Sequence, residues 1–203
     1  MKRGFTLSES NLADLLPYSY AELLDRVSQK LKPKRFEHVQ RVADTAEKLA
    51  QKYGADVTRA RVAGIVHDYA KDLPDEAFKQ VILSQQLDPA LLGYNNGIWH
   101  GVVGTYFIQR DLQIYDPAIL SAVGKHTIGA PKMSKLDQII FIADFIEPGR
   151  EFPGVDAARK AAETSLAAGV AFELAQTLNF LVSKKQKIYP KTIASYNAWV
   201  VHN

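Results

Sequence analysis

Four of the five histidines in this 203-residue chain stand inside apolar runs: His38 in RFEHVQRV, His67 in GIVHDYA, His100 in GIWHGVV and His126 in AVGKHTIG. The fifth, His202, is penultimate and expected to fray. Two acids share the predicament. Asp68 follows His67 directly, and Asp144 interrupts IIFIADFI, within the most apolar helix of the chain. A carboxylate in such surroundings carries a large desolvation cost unless it is paired or bound to a cation. Any one of these histidines alone would read as a hydrogen-bonded core or surface residue. Together, four histidines and two acids spread over five expected helices read as a metal site in a helical bundle. There is no cysteine, so disulfides, iron–sulfur clusters and thiolate zinc sites are excluded. Nitrogen and oxygen donors suit Fe, Mn, Zn, Ni or Mg.

The elements that must position these groups are helical. Apolar residues recur at helical spacing, and strand-like alternation is nearly absent. Ser19-Tyr20-Ala21-Glu22 has the form of a capping box and opens a helix over Tyr20–Leu31. A second, Lys34–Tyr53, has an apolar stripe through Val39, Val42, Ala43, Ala46, Leu49 and Ala50, and Gly54 follows as its stop. A third begins at Asp56-Val57-Thr58, runs through GIVHDYAK and closes at Leu73-Pro74. Asp75–Gln86, a short Asp88–Leu92 turn or helix, and Ile98–Arg110 come next. Asp116 caps a helix that has Pro117 in its first position and ends near Lys125. Ser134–Ile146, a long Ala157–Lys184 and Thr192–Val200 complete an all-α single domain with no internal repeat.

The order H … HD … H … H … D resembles the HD-domain metal-dependent phosphohydrolases. More closely, FEHVQRV, GIVHDYAK, WHGVVG, KHTIG and IADFIEPGREFPGVD look like the YqeK family of HD-domain symmetrical bis(5′-nucleosyl)-tetraphosphatases. The resemblance runs from about Tyr20 to Val201. It implies an HD-domain helical bundle over 20–203, preceded by a leader, 1–19, outside the match. It also implies one metal on His38, His67, Asp68 and Asp144, and a second on His100 and His126, with Asp68 bridging them. The implied cofactor is a divalent metal, two ions of iron, with Mn, Co, Zn, Ni or Mg as substitutes. The implied reaction splits diadenosine tetraphosphate (Ap4A) in the middle, giving two ADP. A homodimer is implied as well. Two close metals lower the pKa of a shared water and clamp both oxygens of an in-line displacement. Within the same class, a nucleotide phosphatase or phosphodiesterase of the HD superfamily fits the dyad; outside it, a non-catalytic nucleotide-sensing module does.

Flanking residues complete the reading. Lys71 lies four positions after His67, hence on the same helical face, and is expected to hold phosphate or stabilise the leaving group; a surface lysine is the alternative. Arg150, after Pro148-Gly149, could hold phosphate oxygens bidentately or be a loop arginine. Thr127 could donate to phosphate or cap its helix. Tyr94, Trp99 and Phe152 could stack on a purine or lie in the core. A net charge of +3 is too small to argue for nucleic acid. The basic clusters Lys32-Pro33-Lys34-Arg35 and Lys184-Lys185-Gln186-Lys187 read as solvated surface rather than anion sites. Polar residues break the N-terminal stretch, so no signal peptide is read, and no apolar run approaches the roughly 20 residues that span a membrane. A cytoplasmic location is expected.

Overall fold

The computed structural model describes residues 12–201; residues 1–11 of the expected leader and His202 lie outside them. Eleven α-helices and a 3-10 turn appear among the described residues, with no strand. In chain order they are α1 (Tyr20–Ser28), α2 (Pro33–Tyr53), α3 (Val57–Val66), α4 (Asp75–Ser84), the 3-10 turn Pro89–Gly93, α5 (Asn96–Val102), α6 (Gly104–Leu112), α7 (Pro117–Lys125), α8 (Lys135–Ile146), α9 (Val155–Thr164), α10 (Leu166–Ser183) and α11 (Pro190–Trp199). Ahead of α1, Leu12, Leu15 and Leu16 are buried in the main hydrophobic core, so packing begins upstream of Tyr20.

Helix α3 is the centre of the bundle. Thr58, Ala60 and every residue from Val62 to Val66 are buried, so it is enclosed on all sides. Its small side chains allow a close approach to α2. A Cβ on Gly64 would stand 2.6 Å from the Ala43 Cα, so only glycine fits there. Helix α2 turns the expected stripe inward, with His38 buried at its start, and ends at Gly54 in the left-handed conformation (φ 64°). Asp116 caps α7, with Pro117 at its start, as expected. Helix α8, closed at its N-terminus by a Ser134–Asp137 capping box, packs against α2, α3 and α7 and brings Asp144 to the middle of the bundle. Ser19 accepts from the Glu22 amide at the start of α1.

Four expectations change. The third helix does not run through GIVHDYAK: α3 ends at Val66, and residues 67–72 form successive turns with Tyr69 N donating to Val66 O and Lys71 N to Asp68 O. The expected helix Ile98–Arg110 is two, α5 and α6, joined at Val103, where Gly101 and Gly104 on either side weaken helix propensity. It starts earlier because Asn95 accepts from Gly97 N as a cap. Ala157–Lys184 is also two helices. Ser165 is extended (φ −165°, ψ 159°), and its hydroxyl accepts from Ala168 N, restarting the chain as α10. Finally, α10 is by length and composition able to cross a membrane, contrary to the expectation from run length, although it carries Glu173 and buries Leu166, Gly169, Val170 and Leu174.

Candidate metal centre

All four core histidines are held the same way. His67 Nδ1 donates to Gly64 O at 2.8 Å, His126 Nδ1 to Val123 O at 2.7 Å, His100 Nδ1 to Asn96 O, and His38 Nδ1 to a Glu147 carboxylate oxygen at 3.1 Å. Each acceptor fixes the Nδ1–H tautomer, which leaves Nε2 with a free lone pair. The four Nε2 atoms converge. Those of His38 and His67 are buried with no hydrogen-bond partner among the described residues. Those of His100 and His126 face each other at 3.1 Å. Lone pairs pointed at one another in a dry interior repel, and a cation between them removes the repulsion.

Asp68 lies across this group. Its Oδ2 stands 3.7 Å from His38 Nε2 and 3.6 Å from His67 Nε2, whereas its Oδ1 stands 3.2 Å from His100 Nε2 and 3.8 Å from His126 Nε2. Asp144 Oδ1 is 3.0 Å from His38 Nε2 and 3.8 Å from His67 Nε2. All six sequence-identified residues therefore meet. Three overlapping triads (His38, His67, Asp68; His67, His126, Asp144; Asp68, His100, His126) each bring one donor atom per residue within 4.8 Å of the others. These residues are placed to bind a divalent metal, and four converging Nε2 atoms with two carboxylates fit one chemically.

The electrostatics agree. Burial pushes the Asp68 carboxyl up, but the facing His67, His126 and His100 rings more than offset this and hold it well below the usual carboxylate range. For Asp144, burial is likewise outweighed, by His38, His67 and Arg150. Burial pushes His100 down to about 3, keeping its ring neutral. His67 is lowered by burial and raised further by Asp68 and Asp144, and the field that favours a proton on that ring equally favours a metal cation.

Three cations ring the centre. Arg35 Nη1 donates to Asp68 Oδ2 at 2.8 Å. Arg150 donates from Nε to Asp144 O at 2.8 Å and from Nη2 to Asp144 Oδ1. Lys71 Nζ is 3.2 Å from both ring nitrogens of His100, so it reaches the centre from the turn after Asp68, not from a helical face shared with His67. Thr127, next to His126, leaves its buried Oγ1 without a partner among the described residues, so the hydroxyl caps no helix there. Trp99 is core: it is 2% exposed and donates to Leu91 O. Phe152 packs edge-on to Phe145 and Tyr94 edge-on to Tyr189.

Sequence reasoning missed Arg35, Glu147 and Arg159. Glu147 is buried and accepts from His38, from Arg41 Nε at 2.6 Å and from Gly149 N at 2.6 Å. Arg159 donates to the carbonyls of Ile146, Glu147 and Arg150, pinning the turn that carries Arg150. The spacings were a usable signal: Arg35 is three residues before His38, and Glu147 three after Asp144, one helical turn in each case.

An all-α bundle enclosing a His–Asp centre with an HD pair at its middle defines a class of hydrolases, and the chain belongs to it: the HD domain family model matches residues 35–149. Within that class, the chain is 43% identical over 180 residues to the "Bis(5′-nucleosyl)-tetraphosphatase, symmetrical" of Bacillus subtilis, covering 89% of this chain and 96% of that protein. It is 40% identical over 174 residues to the protein of the same name from Halalkalibacterium halodurans, covering 86% and 93%. A crystal structure described as a predicted HD superfamily hydrolase involved in NAD metabolism from Clostridium acetobutylicum superposes with a TM-score of 0.85 at 37% identity, over 90% of this chain and 97% of that one. The YqeK-like resemblance read from the motifs agrees with these relatives.

Proposed function

We propose that this protein is a symmetrical bis(5′-nucleosyl)-tetraphosphatase that hydrolyses Ap4A to two ADP at a dinuclear metal centre. One observation carries the dinuclear reading: Asp68 presents one carboxylate oxygen to the His38–His67 pair and the other to the His100–His126 pair. In this reading His38, His67, Asp68 and Asp144 hold one ion, and His100, His126 and Asp68 hold the second, with iron as the native metal. When bound, such ions lower the pKa of a water and neutralise polyphosphate charge.

The chain's own groups do the rest. Their backbone and carboxylate partners keep all four imidazoles in the donor tautomer. Arg35, Lys71 and Arg150 surround the centre with cations that can take phosphate oxygens, the arginines bidentately. Thr127 Oγ1, next in sequence to His126, is a hydroxyl donor with no partner among the described residues. In the reaction, the oxygen of water bonds to one of the two central phosphorus atoms. The bond from that phosphorus to the central bridging oxygen breaks, and that oxygen leaves as the terminal oxygen of the second ADP. Asp68, Lys71 and Arg150 are the residues we assign to catalysis; Lys71, Thr127 and Arg150 also bind substrate. A cytoplasmic location and a homodimer accompany this reading, supported for the dimer by exposed Phe180 and Val182 near the end of α10. A monomer in sedimentation would remove that part.

Protein loaded with Fe, Mn or Co and given Ap4A should yield ADP alone on ion-exchange chromatography. ATP plus AMP, or intact substrate, refutes the assignment.

A further inference from the structure

The turn after α8, residues 147–150, carries two groups that the proposed centre uses: the Glu147 carboxylate, which accepts from His38, and the Arg150 guanidinium, which donates to Asp144. We propose that Arg159, on α9, is a positioning residue for both, acting on the centre only through main-chain carbonyls. The inference rests on the hydrolase reading above, in which Arg150 holds phosphate.

A helix C-terminus leaves carbonyls without intrahelical donors and favours a nearby cation, yet α8 has no basic residue in its last turn. Pro148 follows the cap residue Glu147 and has no N–H to offer. Arginines from outside the helix close its end instead. Arg150 Nε donates to Asp144 O, and Arg159 takes the carbonyls beyond it: Nε donates to Ile146 O at 3.2 Å, and Nη2 to Glu147 O at 3.2 Å and to Arg150 O at 3.1 Å. One planar fork therefore spans the turn from end to end. The other side of the turn is closed by Arg41 of α2, which donates to the Glu147 carboxylate and lies so near Gly149 that a Cβ there would stand 2.6 Å from Arg41 Nε. Arg159 itself has little freedom. Its Nη1 donates to Asp156 Oδ1 at 2.8 Å, and the far end of α9 is tied back to α2, where the Tyr53 hydroxyl donates to Ala162 O and Lys52 Nζ to Glu163 O at 2.7 Å. The backbone of the turn is thus gripped between α9 and α2, the helix that also carries His38. Among the described residues, Arg159 bonds to three carbonyls and to Asp156 and to none of the six proposed metal ligands, so its effect reaches the centre through Glu147 and Arg150.

Kinetics on Ap4A at saturating metal, chelator competition and a double-mutant cycle separate positioning from stability alone. Arg159→Ala should lower kcat/KM about tenfold and weaken one of the two proposed ions by roughly 10–100-fold, the usual cost of losing an outer partner, with the other ion retained. Combined with Arg150→Ala, it should add little to the kinetic loss from Arg150→Ala alone, because at saturating metal it acts through that side chain. Arg159→Lys, which keeps a cation at the end of α8 but offers no planar fork, should recover part of both losses. Tyr53→Phe loosens α9 at its other end; it should lower Tm and leave kcat/KM and metal affinity at wild-type values. Undiminished kinetics or metal affinity in Arg159→Ala, full multiplication of its effect with that of Arg150→Ala, or an equal defect in Tyr53→Phe overturns the positioning role. Where Arg159→Ala does not fold, Arg159→Lys takes its place in the same comparisons. The hydrolase reading fails separately, on the products that wild type makes from Ap4A, and the metal-affinity comparison stands without it.

Discussion

Replacing Glu147 with glutamine tests whether the histidine tautomers control the metal centre. The carboxylate accepts at Oε2 from Arg41 Nε and Gly149 N, both at 2.6 Å, and at Oε1 from His38 Nδ1 at 3.1 Å and Arg41 Nη2 at 3.4 Å. An amide must turn its NH2 toward one side. Facing Arg41 Nε and Gly149, it would set donor against donor and forfeit the two short bonds. Facing His38, it forfeits only the longer pair, so that orientation wins. The imidazole then meets a donor at Nδ1, and the favourable response is to move its proton to Nε2, the atom aimed at the centre. A metal ligand is thereby lost without touching the ligand residue. Loss of such an outer partner typically costs 10–100-fold in metal affinity, about 1.4–2.7 kcal/mol. Glu147→Gln should therefore weaken one of the two proposed ions by roughly that factor and leave the other, the one proposed on His100 and His126, near wild type. Chelator competition with metal-per-chain analysis reads this directly. Equal loss at both sites, or two undiminished ions, would refute the tautomer argument. Melting curves control for fold damage, because the buried, charge-assisted bonds from Arg41 weaken as well.

Asp68→Asn should release both ions and abolish turnover, whereas His126→Ala should chiefly empty the second site; metal analysis showing the same residual content in both variants contradicts the bridging assignment. Arg150→Ala and Lys71→Ala should each lower kcat/KM for Ap4A by about 10- to 150-fold, the worth of a charged hydrogen bond of roughly 1.5–3 kcal/mol, with both ions retained; unchanged kinetics would return these residues to the surface reading. Glu173 is buried, one of its oxygens has no partner among the described residues, and burial first, then Asp144, raise its carboxyl well above the usual range. The folded state keeps that proton after the unfolded chain has lost it, so stability falls as pH rises from about 4.5 toward the raised value. Glu173→Gln should remove this loss and raise Tm more at pH 8 than at pH 4; an equal shift at both would show that Glu173 is not held protonated.

The ligands were legible because each is costly where it stands. A carboxylate in IIFIADFI and a histidine in GIWHGVV announce an unmet charge or lone pair without any knowledge of the fold. Apolar context alone does not single out a metal ligand, however. Asp137, also buried and only seven residues before Asp144, has Lys125 Nζ at 2.6 Å, the Ser121 hydroxyl at 2.8 Å and Ser134 N at 2.8 Å. Two acids on one helix thus look alike in sequence, and what separates them is whether an ammonium or a set of imidazoles closes around them, a fact of tertiary contact. The same limit hid Arg35, whose role exists only once α2 meets the turn after α3, and Glu147, whose role exists only once the end of α8 meets α2. Helix breaks were hidden differently. A 3.6-residue period continues unaltered across Ser165 and across GIVHDYAK, whereas a serine hydroxyl or a histidine Nδ1–H that engages the backbone ends the helix locally. At His67 the two effects are one. The hydrogen bond from Nδ1 to Gly64 O lies where α3 gives out and fixes the tautomer, and the turns that follow let Asp68 face two pairs of histidines, an arrangement that a continuous helix, with neighbours about 100° apart, would have spoiled.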